Sequence, residues 1–304
     1  MLPHGFCAQR PCSRAGQRLE FIPSSAGLRK VGKNQKLLDP SAPLGDNGAA
    51  WIQGEEPFLK LIDTHAHLDE VPDLEGALKR AQEAGVCAIV GVGTDLASNE
   101  KILQLADRFP NFVLPAVGLH PWRLDGVDLE ANARFIEREL PRCVALGEVG
   151  LDFAVKTPRE MQEEALQRLL SLAFQAGKPV LLHARRAWGE ALELLKSFPL
   201  ERAVFHWYSG PPDVLQKVFE QGYFISATPA VDYSERHRAA IQVAPLSQLV
   251  LETDAPEVYR GVQSEPRDLR KALQSVSLLK AMDAEELARQ TYRNAVNFFQ
   301  LSQP

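Results

Sequence analysis

Two histidines one residue apart, in Leu61-Ile62-Asp63-Thr64-His65-Ala66-His67-Leu68, carry the first chemistry the chain offers. The run Phe58 to Ile62 before them is mostly apolar and reads as a buried strand. Residues i and i+2 of a strand project to one side, so both imidazoles can face one point, and converging neutral imidazoles bind divalent metals. A hydrogen-bonded polar pair at a strand end would look the same in isolation. Five more residues of metal-binding type follow other apolar runs: His120, Glu148, His183, His206 and Asp254. Each alone reads as a satisfied polar group. Seven aimed at one place without function would assemble a costly cluster of like and unlike charges.

What must position them is a repeating unit. From Phe58 onward, short apolar runs alternate with amphipathic stretches eight times. Strands are expected at 58–62, 87–92, 112–117, 143–147, 179–182, 202–205, 223–227 and 248–252. Helices are expected near 74–84, 98–109, 129–140, 158–176, 187–197, 212–221, 234–243, 266–281 and 284–299. Thr157-Pro158-Arg159-Glu160 offers an N-cap, a first-turn proline and a capping-box acid; Asp283 with Glu286 repeats the device. Gly85, Gly177 and Gly222 each follow a helical run, as helix-ending glycines do. Eight β-α units fold as a closed barrel or an open doubly wound sheet. Metal-type residues after many different strands decide for the (β/α)8 barrel, where every strand's C-terminal end meets at one mouth; an open sheet spreads them along a line.

Composition bounds the rest. The chain has 304 residues, 45% hydrophobic, enough for one such barrel over 58–304 plus a tail. Residues 1–57 show scattered Pro, Gly, Ser and Arg without an apolar period and read as a disordered N-terminal extension. Of 34 basic and 39 acidic side chains the extension holds seven and five, which leaves 27 and 34 and a net charge of −7 for the body. That excludes a broad basic surface gripping long duplexes, although a local cationic pocket or bound ions can still receive a phosphate. No run is long enough for a membrane helix. Cys7, Cys12, Cys87 and Cys143 lack C-x-x-C spacing, so buried reduced thiols and a cytoplasmic protein are expected, without an obligatory protein partner.

Five ordered motifs resemble the signatures of the TatD family of metal-dependent deoxyribonucleases, within the amidohydrolase-like superfamily. They are Ile62-Asp63-Thr64-His65-Ala66-His67-Leu68-Asp69, Gly118-Leu119-His120-Pro121, Gly147-Glu148-Val149-Gly150-Leu151-Asp152, His206-Trp207-Tyr208-Ser209-Gly210 and Leu251-Glu252-Thr253-Asp254-Ala255-Pro256. The match spans about residues 58 to 302. The resemblance implies a metal-dependent barrel hydrolysing nucleic-acid phosphodiesters, with His65, His67, Glu148, His183, His206 and Asp254 as metal ligands and 3′ to 5′ exonuclease action on strand ends. Two segments depart from it: Ala184 stands where many relatives have Ser or Thr, and Ile225 to Ala230 differs from the forms of established nucleases.

That ligand set suits two divalent cations, Mg, Mn or Zn. His65, His67 and Asp254 would hold one, His183 and His206 the other, and Glu148 would bridge with its two oxygens. Ions about 3.5 to 4 Å apart acidify a shared water and clamp the oxygens of a displaced phosphoryl group. Asp254 doubles as general base. His120, not needed for either shell, and Arg185 are the candidates for holding substrate phosphate. Trp207, Tyr208 and Tyr259, on loops at the same mouth, either stack on bases or pack the barrel rim. Glu265 is expected to cap the helix beginning near Pro266. Rival readings are an amide, ester or small-phosphoester hydrolase on the same centre, and a non-catalytic accessory protein retaining the barrel.

Overall fold

The computed structural model describes residues 59–302. The extension expected over 1–57 lies outside them. Eight parallel strands each pair with the next in the chain: β1 Leu61–Ala66, β2 Val86–Val92, β3 Val113–Val117, β4 Ala145–Asp152, β5 Val180–Arg185, β6 Ala203–Phe205, β7 Phe224–Ala227 and β8 Leu249–Leu251. The chain past β8 returns to β1. Asp254 N donates to His65 O at 2.9 Å and His67 N to Ala255 O at 2.7 Å, and Ala66 bridges Ala255 in parallel. The sheet is thus the expected (β/α)8 barrel.

Helices α1 Leu74–Glu83, α2 Leu96–Arg108, α3 Leu129–Glu139, α4 Arg159–Ala176, α5 Trp188–Lys196, α6 Pro212–Glu220, α7 Glu235–Val243, α8 Leu269–Lys280 and α9 Ala284–Phe299 follow the strands. The Asp283 carboxylate accepts from Glu285 N and Glu286 N at 3.0 Å each, so the last helix starts where its cap dictates. Among the starts that differ from expectation, α8 begins at Leu269, after a single tight turn Pro266–Asp268, and two others have visible causes. α2 begins earlier because Asp95 accepts from Ser98 N at 2.9 Å. At α4, Pro158 occupies the cap position without a side-chain bond, and Thr157 offers its carbonyl to Gln162 Nε2 at 2.9 Å instead of capping with its hydroxyl. Among the described residues no helix is long and apolar enough to cross a membrane.

The barrel interior is filled by Ile62, Ala88, Val90, Ala116, Ala145, Leu181, Val204 and Val250, with Phe298 and Phe299 of α9 packed against the same cluster. Phe298 meets Phe224, the first residue of β7, edge-on at 5.2 Å, and so closes the end of the barrel opposite the strands' C-termini. Two irregularities aim the inward residues above this layer. Between Asp63 and Ala66, β1 advances three residues while β2 advances two; between Leu146 and Val149, β4 does the same against β5. Each extra residue switches the inward parity. Ile62 and then His65 both face in, as do Ala145 and then Glu148.

Candidate metal centre

The switched parity places His65 and His67 on the inner face at the end of β1, beside Glu148 on β4 and Asp254 in the turn after β8. Four atoms converge. His65 Nε2 lies 3.4 Å from His67 Nε2, 3.4 Å from Glu148 Oε2 and 3.6 Å from Asp254 Oδ1. His67 Nε2 lies 3.5 Å from Glu148 Oε2 and 3.4 Å from Asp254 Oδ1. Ligands bound tetrahedrally to a zinc-like ion at about 2.0 to 2.2 Å stand about 3.3 to 3.6 Å apart, so the spacing fits a divalent ion. The other oxygen, Glu148 Oε1, faces a second group: His183 Nδ1 at 3.0 Å, His206 Nε2 at 3.5 Å and His120 Nε2 at 3.5 Å.

What lies behind each ring decides which nitrogen faces the centre as a lone pair. His67 Nδ1 meets the Val92 carbonyl at 3.2 Å, and His206 Nδ1 meets Glu252 Oε1 at 3.0 Å. His183 Nε2 meets Asp152 Oδ2 at 3.4 Å. In the neutral ring each of these outer nitrogens is placed to carry the proton, which leaves the inner one as a candidate ligand atom. His120 is wired the other way. Its Nδ1 accepts from Trp122 N at 3.2 Å, so in the neutral ring Nε2 carries the hydrogen and His120 presents a donor. Burial lowers its pKa to about 4, which keeps it neutral even beside Glu148.

Electrostatics point the same way. Burial lowers the pKa of His67 and His206, but carboxylates overcome it. Asp254 and Glu148 take His67 up to about 9, and Glu252, Asp254 and Glu148 take His206 up to about 10. Against the burial that raises it, Glu148 is held well below the usual carboxylate range by His120, His65 and His206. The centre has a surplus of buried negative charge that draws protons onto imidazoles, and a divalent cation would take their place. Asp254 itself sits at φ 52°, a left-handed conformation costly outside glycine and found at functional sites. The centre opens into a cavity of about 560 Å³ walled by Trp122, Arg123, Arg185, Trp207 and Glu257.

Comparison with known proteins matches residues 62–300 to the family described as TatD related DNase. The chain belongs to that family. Human deoxyribonuclease TATDN3 is 32% identical over 260 residues, covering 79% of this chain and 94% of the relative. The 3'-5' ssDNA/RNA exonuclease TatD of Erwinia tasmaniensis is 33% identical over 244 residues, 75% of this chain and 94% of its own. The crystal structure of the TatD homolog YjjV from Escherichia coli superposes with a TM-score of 0.75 at 31% identity, covering 81% of this chain and 100% of that one. This TatD-family chain is a metal-dependent hydrolase.

Within the TatD barrel, the structure brings His65, His67, Glu148, His183, His206 and Asp254 to one point, and Arg185 and Trp207 to its rim. His65, Glu148 and His183 lie inside β1, β4 and β5, not after them. Tyr208 is not at the mouth. Its ring is wholly buried against Phe205 and Trp188, and its hydroxyl donates to Pro211 O at 2.7 Å, so it cannot stack on a base. Tyr259 is likewise buried, donating to Thr253 O at 2.8 Å. Its backbone belongs to a short unexpected hairpin, β9 Val258–Tyr259 with β10 Val262–Gln263. Glu265 forms a two-point ion pair with Arg80 at 2.8 and 3.1 Å, while Asp268 Oδ2 accepts from Glu265 N at 3.1 Å, so this turn is both capped and tied to α1.

Sequence reasoning passed over three residues. Asp152 and Glu252 orient His183 and His206 from behind, and Trp122 stands half exposed in the cavity wall. A signal existed for one of the acids: Asp152 follows Glu148 by four, a spacing that shares one strand face.

Proposed function

We propose that this chain hydrolyses phosphodiester bonds at the ends of single-stranded nucleic acid, in the 3′ to 5′ direction, with two divalent ions. The observation that carries the reading is the division of Glu148: Oε2 faces His65 and His67, and Oε1 faces His183 and His206. One carboxylate shared by two donor groups is the arrangement a pair of bridged ions requires. Imidazole-rich ligation favours Zn or Mn over Mg. Ions held by these residues would supply Lewis acidity to a water and to the phosphoryl oxygens.

The protein's own groups do the rest. Asp254, with Oδ1 turned to His65 and His67, keeps its second oxygen for the proton of the attacking water. In the metal-free protein its carboxyl is held below the usual range because His206, His67 and His65 outweigh the burial that raises it. His120 offers Nε2–H to a phosphate oxygen, and Arg185 at the rim adds a permanent charge. The acidic body favours strand ends reaching into a narrow mouth over long duplex. A time course on end-labelled single-stranded DNA and RNA with Mg, Mn or Zn tests the proposal. Stepwise shortening from the 3′ end is expected, and intact strands under all three metals would overturn it.

A further inference from the structure

Trp122 is 53% exposed, yet its indole is not loose. Its Nε1–H donates to Asp152 Oδ2 at 2.6 Å, and Asp152 is completely buried. Asp152 is itself locked: Oδ1 accepts from Ala154 N at 2.8 Å, and its backbone exchanges bonds of 2.7 and 3.0 Å with the Gln162 amide. The same carboxylate reaches Arg185, whose Nε lies 3.8 Å from Oδ1 and whose side chain is 53% exposed. A flat apolar ring is therefore held on one oxygen of a buried acid, with a guanidinium within ion-pair range of the other, both facing the cavity of the metal centre. The ring stands edge-on to His120 at 4.8 Å and to His183 at 5.9 Å. Core packing does not account for an indole left half in water, and free rotation is prevented by its hydrogen bond. A fixed, exposed aromatic face beside a cation matches the base and phosphate of one nucleotide.

We infer that Trp122, positioned by Asp152, and Arg185, beside the same acid, clamp the terminal nucleotide of the strand, Trp122 stacking on its base and Arg185 binding a phosphate oxygen. The inference rests on the nuclease reading and adds to it a base-sensing surface. Stacking is indifferent to base identity, so the clamp accepts any terminal nucleotide that has a base and discriminates against one that lacks it.

The test uses two labelled single strands with a phosphorothioate terminal linkage, one ending in a normal nucleotide and one in an abasic sugar, titrated with the metal-loaded full chain by fluorescence anisotropy. Trp122→Ala should weaken binding of the normal strand by about 5- to 150-fold. On the abasic strand its penalty should fall below about twofold, since there is no base left to stack. Trp122→Phe keeps an aromatic face but loses the bond to Asp152, and should recover most of the affinity. Arg185→Ala should weaken both strands equally and flatten the salt dependence. A Trp122→Ala loss equal on both strands, with Trp122→Phe as poor as Ala, would mean the indole only braces Asp152, and the clamp would be rejected; so would no loss at all. If the unaltered chain binds neither strand, the nuclease reading itself fails and takes the clamp with it.

Discussion

Asp254 and His65 occupy one donor group, yet they should fail differently when changed. Asn at 254 keeps the shape and one oxygen but removes the charge and nearly all basicity. Turnover should fall at least about 10²- to 10⁴-fold while strand binding is retained. His65→Ala removes a neutral ligand, so the deficit should be one of metal affinity that excess metal partly repairs. Measuring metal content and turnover for both variants across a metal titration separates them, and near wild-type turnover in Asp254→Asn would remove this residue from the mechanism. Glu252 belongs to a third class, since it touches no substrate and acts through His206 Nδ1 at 3.0 Å. Glu252→Gln can accept the same hydrogen bond without the charge, and metal affinity should drop about 10- to 100-fold. Unchanged metal affinity in a competition titration would show that His206 needs no carboxylate behind it.

At the scale of elements, the alternation of strand and helix was legible because each apolar run is bounded by turn residues and capping acids, and eight such units admit few closures. The inward direction of the ligands was less legible. Strand parity starting from Ile62 would point His65 outward, and parity from Ala145 would point Glu148 outward; the extra residues in β1 and β4 reverse both, and nothing in local composition announces them. Tyr208 was misplaced for a related reason. Adjacent to Trp207 in sequence, it turns the other way, with Trp207 at φ 43° between the strand and the buried ring. Two substitutions should expose the difference between scaffold and site. Phe298→Ala, at the closed end of the barrel, should cost about 3 to 5 kcal/mol of stability and leave activity per folded molecule unchanged at low temperature. Gly150→Ala places a Cβ well inside van der Waals contact of the His183 carbonyl oxygen, so β4 and β5 must part at the second donor group. There stability and activity should fall together. Thermal melts paired with assays on the soluble fraction compare the two, and an active, stable Gly150→Ala would contradict the described approach of these strands.

For the molecule as a whole, the centre links metal, protons and folding. In the metal-free protein the carboxylates around it hold His67 up to about 9 and His206 up to about 10, from an ordinary 6.5, against the burial that alone would lower them. A base whose folded pKa is raised contributes stability fully present below its unfolded pKa and lost as pH rises through the folded one. The metal-free chain should therefore melt progressively lower from about pH 6.5 to pH 9 or 10, as these imidazoles lose the protons that neutralise Glu148, Asp254 and Glu252. A bound cation reverses the dependence, because it needs the imidazoles unprotonated and its affinity grows as they deprotonate. At a thousandfold excess over its dissociation constant, a ligand confined to the folded state contributes about 4 kcal/mol, or about 8 to 16 °C for a domain of this size. The gap between metal-loaded and chelated melting temperatures should accordingly be small at pH 6 and widen toward pH 9. Melts at matched ionic strength, with and without chelator, test this directly. A gap that narrows with rising pH would mean that the histidines facing Glu148 are not the groups the cation replaces.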